Sequence, residues 1–261
     1  MPKLAANLSM MFQEAPFLDR FAAAAECGFN GVEFLFPYEF PAEDIAARLT
    51  RHGLTQALFN LPPGDWAKGE RGTAALPGRE SEFMAGLERA LSYARATKCP
   101  RLHAMAGNWP TGRDRREGRA VYVANLRRAA ERAADEGVTL VIEPINLRDM
   151  PGYFLNTTDE AIKVIEEVGR DNLKLQLDLY HCQIMEGDLA THVRRLAGRY
   201  AHVQIAGVPG RNEPDRGEIN YAYLLDLLDR LGYAGWVGCE YRPAADTAAG
   251  LAWARRWGIG A

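Results

Sequence analysis

Four residues with oxygen-bearing side chains sit at matching places in the second half of this chain: Glu143, Asp178, Gln204 and Glu240. Each closes, or nearly closes, a short apolar run: Thr139-Leu-Val-Ile-Glu143, Leu173-Lys-Leu-Gln-Leu-Asp178, His202-Val-Gln204-Ile-Ala206 and Trp236-Val-Gly-Cys-Glu240. If the runs are neighbouring parallel strands, the four side chains meet at one end of a sheet. Three carboxylates brought together repel one another, and a divalent cation resolves that repulsion. An all-oxygen donor set favours Mg²⁺ or Mn²⁺ over zinc. One acid at one strand end is often no more than a solubility residue; four in register carry the signal.

Nearby residues have plainer readings. His202 precedes Gln204 by two positions, so it shares its face and is expected to be a hydrogen-bonded core histidine. His103 lies in another apolar run and reads either as core or as a substrate contact. His52 and His192 fall on helical stretches and are expected at the surface. Lys174 and Gln176 share the face of Asp178, where they could pair with an internal acid such as Glu33. Cys182 adjoins the candidate site, but a reduced structural thiol is the expectation.

Something must hold those strand ends in a ring. Eight apolar runs occur, Leu4–Leu8, Gly31–Leu35, Thr55–Leu61, Arg101–Ala106, Thr139–Ile145, Leu173–Leu179, Ala201–Ala206 and Trp236–Tyr241. Most are bounded by Gly, Pro or Asn, as buried strands are. Helical spacing fills the gaps at Phe17–Cys27, Ala42–His52, Glu80–Thr97, Arg116–Glu136, Thr158–Val168, Leu189–Ala197, Tyr221–Leu231 and Thr247–Trp257. Gly28, Gly53, Gly137, Gly169 and Gly232 follow the last periodic residues, as C-terminal caps do. Strict alternation of strand and helix demands a parallel sheet. Eight such units in 261 residues fit a single-domain α/β protein, the (β/α)₈ TIM barrel. An open doubly wound sheet would commonly place a glycine-rich turn after its first strand; here that turn is Ser9-Met-Met-Phe-Gln13.

In such a barrel, function gathers where the strands end. The irregular stretch at 62–78, with four glycines and three prolines, leaves the third strand at that rim and reads as an active-site lid. Residues 107–112 leave the fourth strand on the same side. Trp66 and Trp109 are expected to cover a substrate there. Tyr153 and Phe154, expected near the rim, could close the pocket or pack on a second subunit of a homo-oligomer.

Composition narrows the classes. With 31 basic and 34 acidic side chains the net charge is -3, which supplies no basic excess for nucleic acid. Four cysteines without a CxxC pair indicate reduced thiols. No stretch approaches a membrane span, and no signal peptide is evident. A soluble cytoplasmic protein with a small-molecule substrate, no nucleic acid and no membrane is the expectation.

Taken as blocks, the motifs resemble the xylose-isomerase-like barrel superfamily of sugar isomerases and epimerases, and within it the hydroxypyruvate isomerase family. The blocks are Asn7-Leu-Ser-Met-Met-Phe12, Phe59-Asn-Leu-Pro-Pro-Gly-Asp-Trp66, Glu143-Pro-Ile-Asn146, Arg148-Asp-Met-Pro-Gly-Tyr-Phe-Leu-Asn156, Gln176-Leu-Asp-Leu-Tyr-His-Cys-Gln183, His202-Val-Gln-Ile-Ala-Gly-Val-Pro-Gly-Arg-Asn-Glu-Pro214 and Gly238-Cys-Glu-Tyr241. The seventh-strand block is the most specific, because many sugar epimerases of the superfamily carry His where Gln204 stands. The resemblance implies Glu143, Asp178, Gln204 and Glu240 as metal ligands, and Glu143 and Glu240 as an acid/base pair. It also implies His181 and Arg211 as substrate contacts, with Arg211 or a protonated His181 meeting a substrate carboxylate. The implied reaction interconverts hydroxypyruvate and tartronate semialdehyde through an enediolate. The alternative is a 2-oxo-tetronate isomerase, which performs the same shift on one more carbon. A lyase on the same scaffold, and a DNA-repair phosphodiesterase with a histidine-rich metal cluster, are rival readings; five histidines in the whole chain weigh against the latter.

Overall fold

The structure, a computed structural model, describes residues 2–260. The chain opens with strand β1 (Lys3–Asn7), a 3₁₀ turn at Phe17–Asp19 and helix α1 (Arg20–Glu26). Strand β2 (Gly31–Glu33), α2 (Ala42–His52), β3 (Thr55–Asn60), α3 (Glu80–Thr97), β4 (Arg101–His103) and α4 (Arg115–Ala134) follow. The second half runs through β5 (Thr139–Ile142), α5 (Thr158–Val168), β6 (Leu173–Asp178), α6 (Leu179–Met185) and α7 (Leu189–Arg195). It ends with β7 (Tyr200–Ile205), α8 (Tyr221–Arg230), β8 (Trp236–Cys239) and a 3₁₀ run at Ala249–Trp257. The strands close in the order β1 to β8, and the closing pair β1/β8 is parallel like the rest. This is the single-domain (β/α)₈ barrel that the alternation requires.

Local chemistry sets the element ends. Helix α2 starts behind Pro41 with Glu43 and Asp44 in its first turn, and stops at Gly53, whose φ of 65° is left-handed. Helix α5 is capped by the Thr157 hydroxyl, which accepts from the Glu160 N–H. Between them the core is continuous aliphatic and aromatic packing of strand on helix.

Two elements differ from the sequence expectation. The last helix, expected at Thr247–Trp257, is a 3₁₀ run rather than an α-helix. Helix α6 was not anticipated, because it begins at Leu179, directly after the last residue of β6, with no linker to mark it.

The segment 62–78 crosses the rim and is pinned in its second half. Gly72 bridges to Ala106, and Ala75 N–H donates to Ala106 O at 2.8 Å. Trp66 stays partly exposed against Phe36, with the Arg71 guanidinium 3.8 Å above its ring. Trp109 is buried instead, tilted against Phe154 with its indole N–H donating to Arg113 O. Tyr153 and Phe154, expected near the rim, are also buried, because Trp109 and Tyr122 cover Phe154 and Tyr153 Oη accepts from the Ala106 N–H.

Candidate active site

Residues from strands β4 to β8 converge at the carboxyl-terminal mouth of the barrel. Glu143 directly follows β5, Asp178 ends β6 and Glu240 directly follows β8. One ligand atom from each, together with one from His181, lies within 4.8 Å of the others, and all four residues are buried. Above them opens a cavity of about 220 Å³, lined among others by Asn60, Trp66, His103, Glu143, His181 and Glu240.

The carboxylates are not equivalent. Glu240 is paired: Arg211 Nη2 donates to its Oε2 at 2.5 Å, and Asn7 Nδ2 approaches Oε1 at 3.3 Å. Glu143 has no lysine or arginine in contact among the described residues. His103 Nδ1 stands 3.5 Å and His181 Nε2 3.8 Å from it, and its buried Oε1 has no hydrogen-bond partner. Burial, then the charges of Glu240 and Asp178, push the Glu143 carboxyl well above its ordinary range. Burial pushes Glu240 up to about 8 despite the pull of Arg211. Burial lifts Asp178 to about 6, opposed by Arg211 and by the backbone amides of Tyr180 and His181. Crowded, buried acids that cling to protons and an orphaned carboxylate oxygen fit a hard divalent cation.

Asp178 has a second task. Its Oδ1 accepts from the Tyr180 N–H at 2.7 Å and so caps α6. That cap sets where α6 begins and thereby where His181, in its first turn, stands. Asn146 then fixes the ring. Its Oδ1 accepts from the Asp149 N–H at 2.7 Å, so its Nδ2 is the group 2.6 Å from His181 Nδ1. Nδ1 is therefore an acceptor, and the proton sits on Nε2, which lies 3.5 Å from Arg211 Nη2 and 3.6 and 3.8 Å from the carboxylates of Asp178 and Glu143. Burial and the Arg211 charge hold His181 well below its usual value. It is a neutral donor, which corrects the expectation of a protonated His181 and leaves Arg211 as the cation of the inner site. His103, forced down to about 3 by burial, is neutral as well.

Arg211 is held with unusual care. Its φ of 56° is left-handed for a non-glycine residue, its N–H donates to Gly207 O at 2.7 Å, and its carbonyl accepts from Arg242 N–H at 2.8 Å. The guanidinium lies 4.9 Å over the Tyr180 ring. Tyr180 Oη in turn donates to Asp149 at 2.7 Å and accepts from Arg148 at 3.0 Å.

Gln204 stands in register beside Asp178 on the adjacent strand. Its amide is engaged inside the barrel: Nε2 donates to Glu33 at 2.8 Å and Oε1 accepts from Gln176 at 2.6 Å. The carbonyl oxygen has one further lone pair to offer a cation. Glu33 is the hub of this inner network, accepting also from Asn7 at 2.9 Å, with His202 Nε2 2.6 Å away. The core reading of His202 thus has its partner. Gln176 reaches Glu33 only through Gln204. Elsewhere, Cys182, Glu186 and His192 form a second small cluster between α6 and α7, with His192 half-buried rather than exposed.

Asn7, Glu33, Asn60, Asn146 and Tyr180 were not assigned to the site from sequence. The signal for the first three was available: Asn7, Glu33 and Asn60 end β1, β2 and β3 as Asp178 ends β6.

Fold and site together define the class, a closed parallel (β/α)₈ barrel with a cavity rich in carboxylates at the carboxyl ends of its strands. The chain belongs to the xylose isomerase-like TIM barrel family, whose model matches residues 21–257. It is 60% identical over 253 residues to a 2-oxo-tetronate isomerase of Cupriavidus necator, covering 97% of each chain. It is 48% identical over 253 residues to the hydroxypyruvate isomerase of Escherichia coli, covering 97% of this chain and 98% of that one. A solved structure described as an AP endonuclease, family 2, from Brucella melitensis superposes with a TM-score of 0.97 at 54% identity, covering 98% of this chain and 99% of that one.

Proposed function

We propose that this protein is a metal-dependent isomerase of a four-carbon 2-oxo acid, moving a carbonyl between C2 and C3. The convergence of Glu143, Asp178 and Glu240 below one small cavity carries the reaction class. The higher identity to the 2-oxo-tetronate isomerase than to the hydroxypyruvate isomerase favours four carbons over the three that the sequence motifs suggested.

The shift moves one carbon-bound proton from C3 to C2 and one oxygen-bound proton from O3 to O2, so nothing is gained or lost. Glu143, Asp178 and Glu240, with Gln204 through its remaining lone pair, are the residues that would hold Mg²⁺ or Mn²⁺. When bound, the cation supplies Lewis-acid stabilisation of negative charge on the two substrate oxygens. Glu143 and Glu240 are the acid/base pair: one takes the proton from C3 and a proton is returned to C2 by the same residue or its partner. His181 offers its Nε2–H to a substrate oxygen. Arg211 neutralises the carboxylate attached to C2, and His103 lines the cavity as a neutral contact. The tip of the 62–78 segment, with Trp66, is the lid that excludes water.

Turnover of 2-oxo-tetronate and hydroxypyruvate, compared with and without chelator, tests this reading. The expected result is activity lost to chelator, regained with Mg²⁺ or Mn²⁺, and a higher kcat/KM for the four-carbon acid. Full activity in chelator, or no isomer formed from either acid, defeats it.

A further inference from the structure

The cavity has two chemically different halves. Arg211 comes from the segment after β7, and Arg242, an exposed side chain with no ion-pair partner among the described residues, follows β8; both line the cavity. Across the barrel, the wall at the ends of β3 and β4 contributes Asn60, His103 and Met105, and Ser9 and Leu35 follow β1 and β2; none of the five is a lysine, an arginine or a carboxylate.

Asn60 is the conspicuous member of that wall. It ends β3 and is 4% exposed. Its backbone is fixed on both sides: the N–H donates to Leu35 O at 2.9 Å and the carbonyl accepts from Tyr38 Oη at 2.7 Å. Among the described residues its side-chain amide has only Met105 Sδ, a weak acceptor at 3.8 Å from Nδ2. The amide lines the cavity, so its remaining donor and acceptor capacity is open to a molecule bound there. Ser9, which also lines the cavity, accepts through Oγ from the Leu35 N–H at 2.8 Å, which leaves its own proton free to donate.

The substrate has the matching asymmetry. With C2 and C3 held over the acids, the carboxylate extends from C2 and the hydroxymethyl group from C3, in opposite directions. The anionic end goes to the arginine side, so the uncharged end meets the β3–β4 wall across the barrel. We infer that Asn60, assisted by Ser9, forms a subsite for the terminal hydroxymethyl group of a four-carbon acid. This rests on the isomerase reading above and adds the residue that measures chain length. A site built to bond a hydroxyl discriminates against the analogue that lacks it, because its own polar group is then left unpaired.

Two measurements test the subsite. In the first, kcat/KM is determined for 2-oxo-tetronate and for hydroxypyruvate in the wild type and in Asn60→Leu, which keeps the volume and removes the amide. The ratio of the two values is expected to fall ~10-fold or more, the equivalent of one lost hydrogen bond. A ratio within about twofold of the wild type overturns the subsite, whatever happens to the absolute rates. The second needs no variant to fold and no turnover. Calorimetric binding to the Mn²⁺-loaded wild type compares 2,3,4-trihydroxybutanoate with 2,3-dihydroxybutanoate, which lacks only the terminal hydroxyl. Tighter binding of the former by ~10-fold supports the subsite, and equal affinities overturn it. If the wild type isomerises neither acid yet discriminates the two ligands, the isomerase reading falls and the subsite stands.

Discussion

Glu143 and Glu240 are the same residue type at equivalent strand ends, yet their surroundings differ. Glu240 is tied to Arg211 and Asn7, while Glu143 faces two neutral histidines and keeps an oxygen unpaired. Environments that separate two otherwise equal acids are how one site can both take and return a proton. Substituting Gln for either keeps the shape and removes the exchangeable proton. Glu143→Gln and Glu240→Gln are each expected to lower turnover by ~10²-fold or more, measured as kcat with saturating Mn²⁺. Near-full turnover in either would remove that residue from the acid/base pair. Glu240→Gln has an added consequence: it frees Arg211 from its 2.5 Å partner. KM for the acid substrate should therefore drop or hold in Glu240→Gln, while kcat falls.

At the scale of elements, the site depends on strands that bring none of the three converging acids. Glu33 of β2 gathers Asn7, Gln204 and His202 inside the barrel, and Asn7 hands that order on to Glu240. Space for Glu33 is provided by Gly238 in β8, where a Cβ would sit 2.2 Å from Glu33 Oε2. Gly238→Ala is expected to cost ~1–3 kcal/mol by overpacking, read as a lower denaturant midpoint at an unchanged m-value, and to weaken Mn²⁺ binding by disturbing Glu240. Unaltered stability would show that Glu33 has slack to move. Much of this architecture could be read beforehand. Thr158–Val168 and Ala42–His52 carry their own caps and amphipathic spacing, so the expected and observed bounds coincide. Helix α6 was hidden because Leu179 continues the apolar run of β6, and only the Asp178 side chain, accepting from Tyr180 N–H, turns the chain. Trp109 and Trp66 look alike in sequence, both aromatic residues in rim loops. What separates them is tertiary: Trp109 packs on Phe154, and no periodicity records that. Gln204 was legible by register with Asp178, but its bonds to Gln176 and Glu33 depend on residues distant in the chain.

For the molecule as a whole, burying three acids at one barrel mouth ties stability to pH and to metal. Asp178 rises to about 6, Glu240 to about 8 and Glu143 well above its ordinary range in the folded, metal-free chain, all chiefly through burial. In the unfolded chain carboxyls lose their protons near pH 4. Between those limits the folded state holds more protons on these acids than the unfolded one, so their contribution to metal-free stability falls as pH rises from about 4 to about 8. His103, pushed down to about 3, and His181, also lowered, act in the opposite sense, since their neutral folded forms lose stability as pH falls below about 6.5. Above that pH the histidines are neutral in both states and the acids alone set the slope. A divalent cation takes the place of the retained protons, so it should bind more tightly as pH rises from 6.5 to 8.5 and release protons when it does. At 100 times its dissociation constant it adds about 2.7 kcal/mol, or about 5–10 °C in Tm for a chain of this size. Scanning calorimetry at pH 6.5 and 8.5, with chelator and with Mn²⁺, should show the metal-induced rise in Tm growing with pH while the chelated protein becomes less stable. A metal-induced rise that stays constant between the two pH values would mean the three acids already carry their charges without a cation, and the site would need another explanation for its burial.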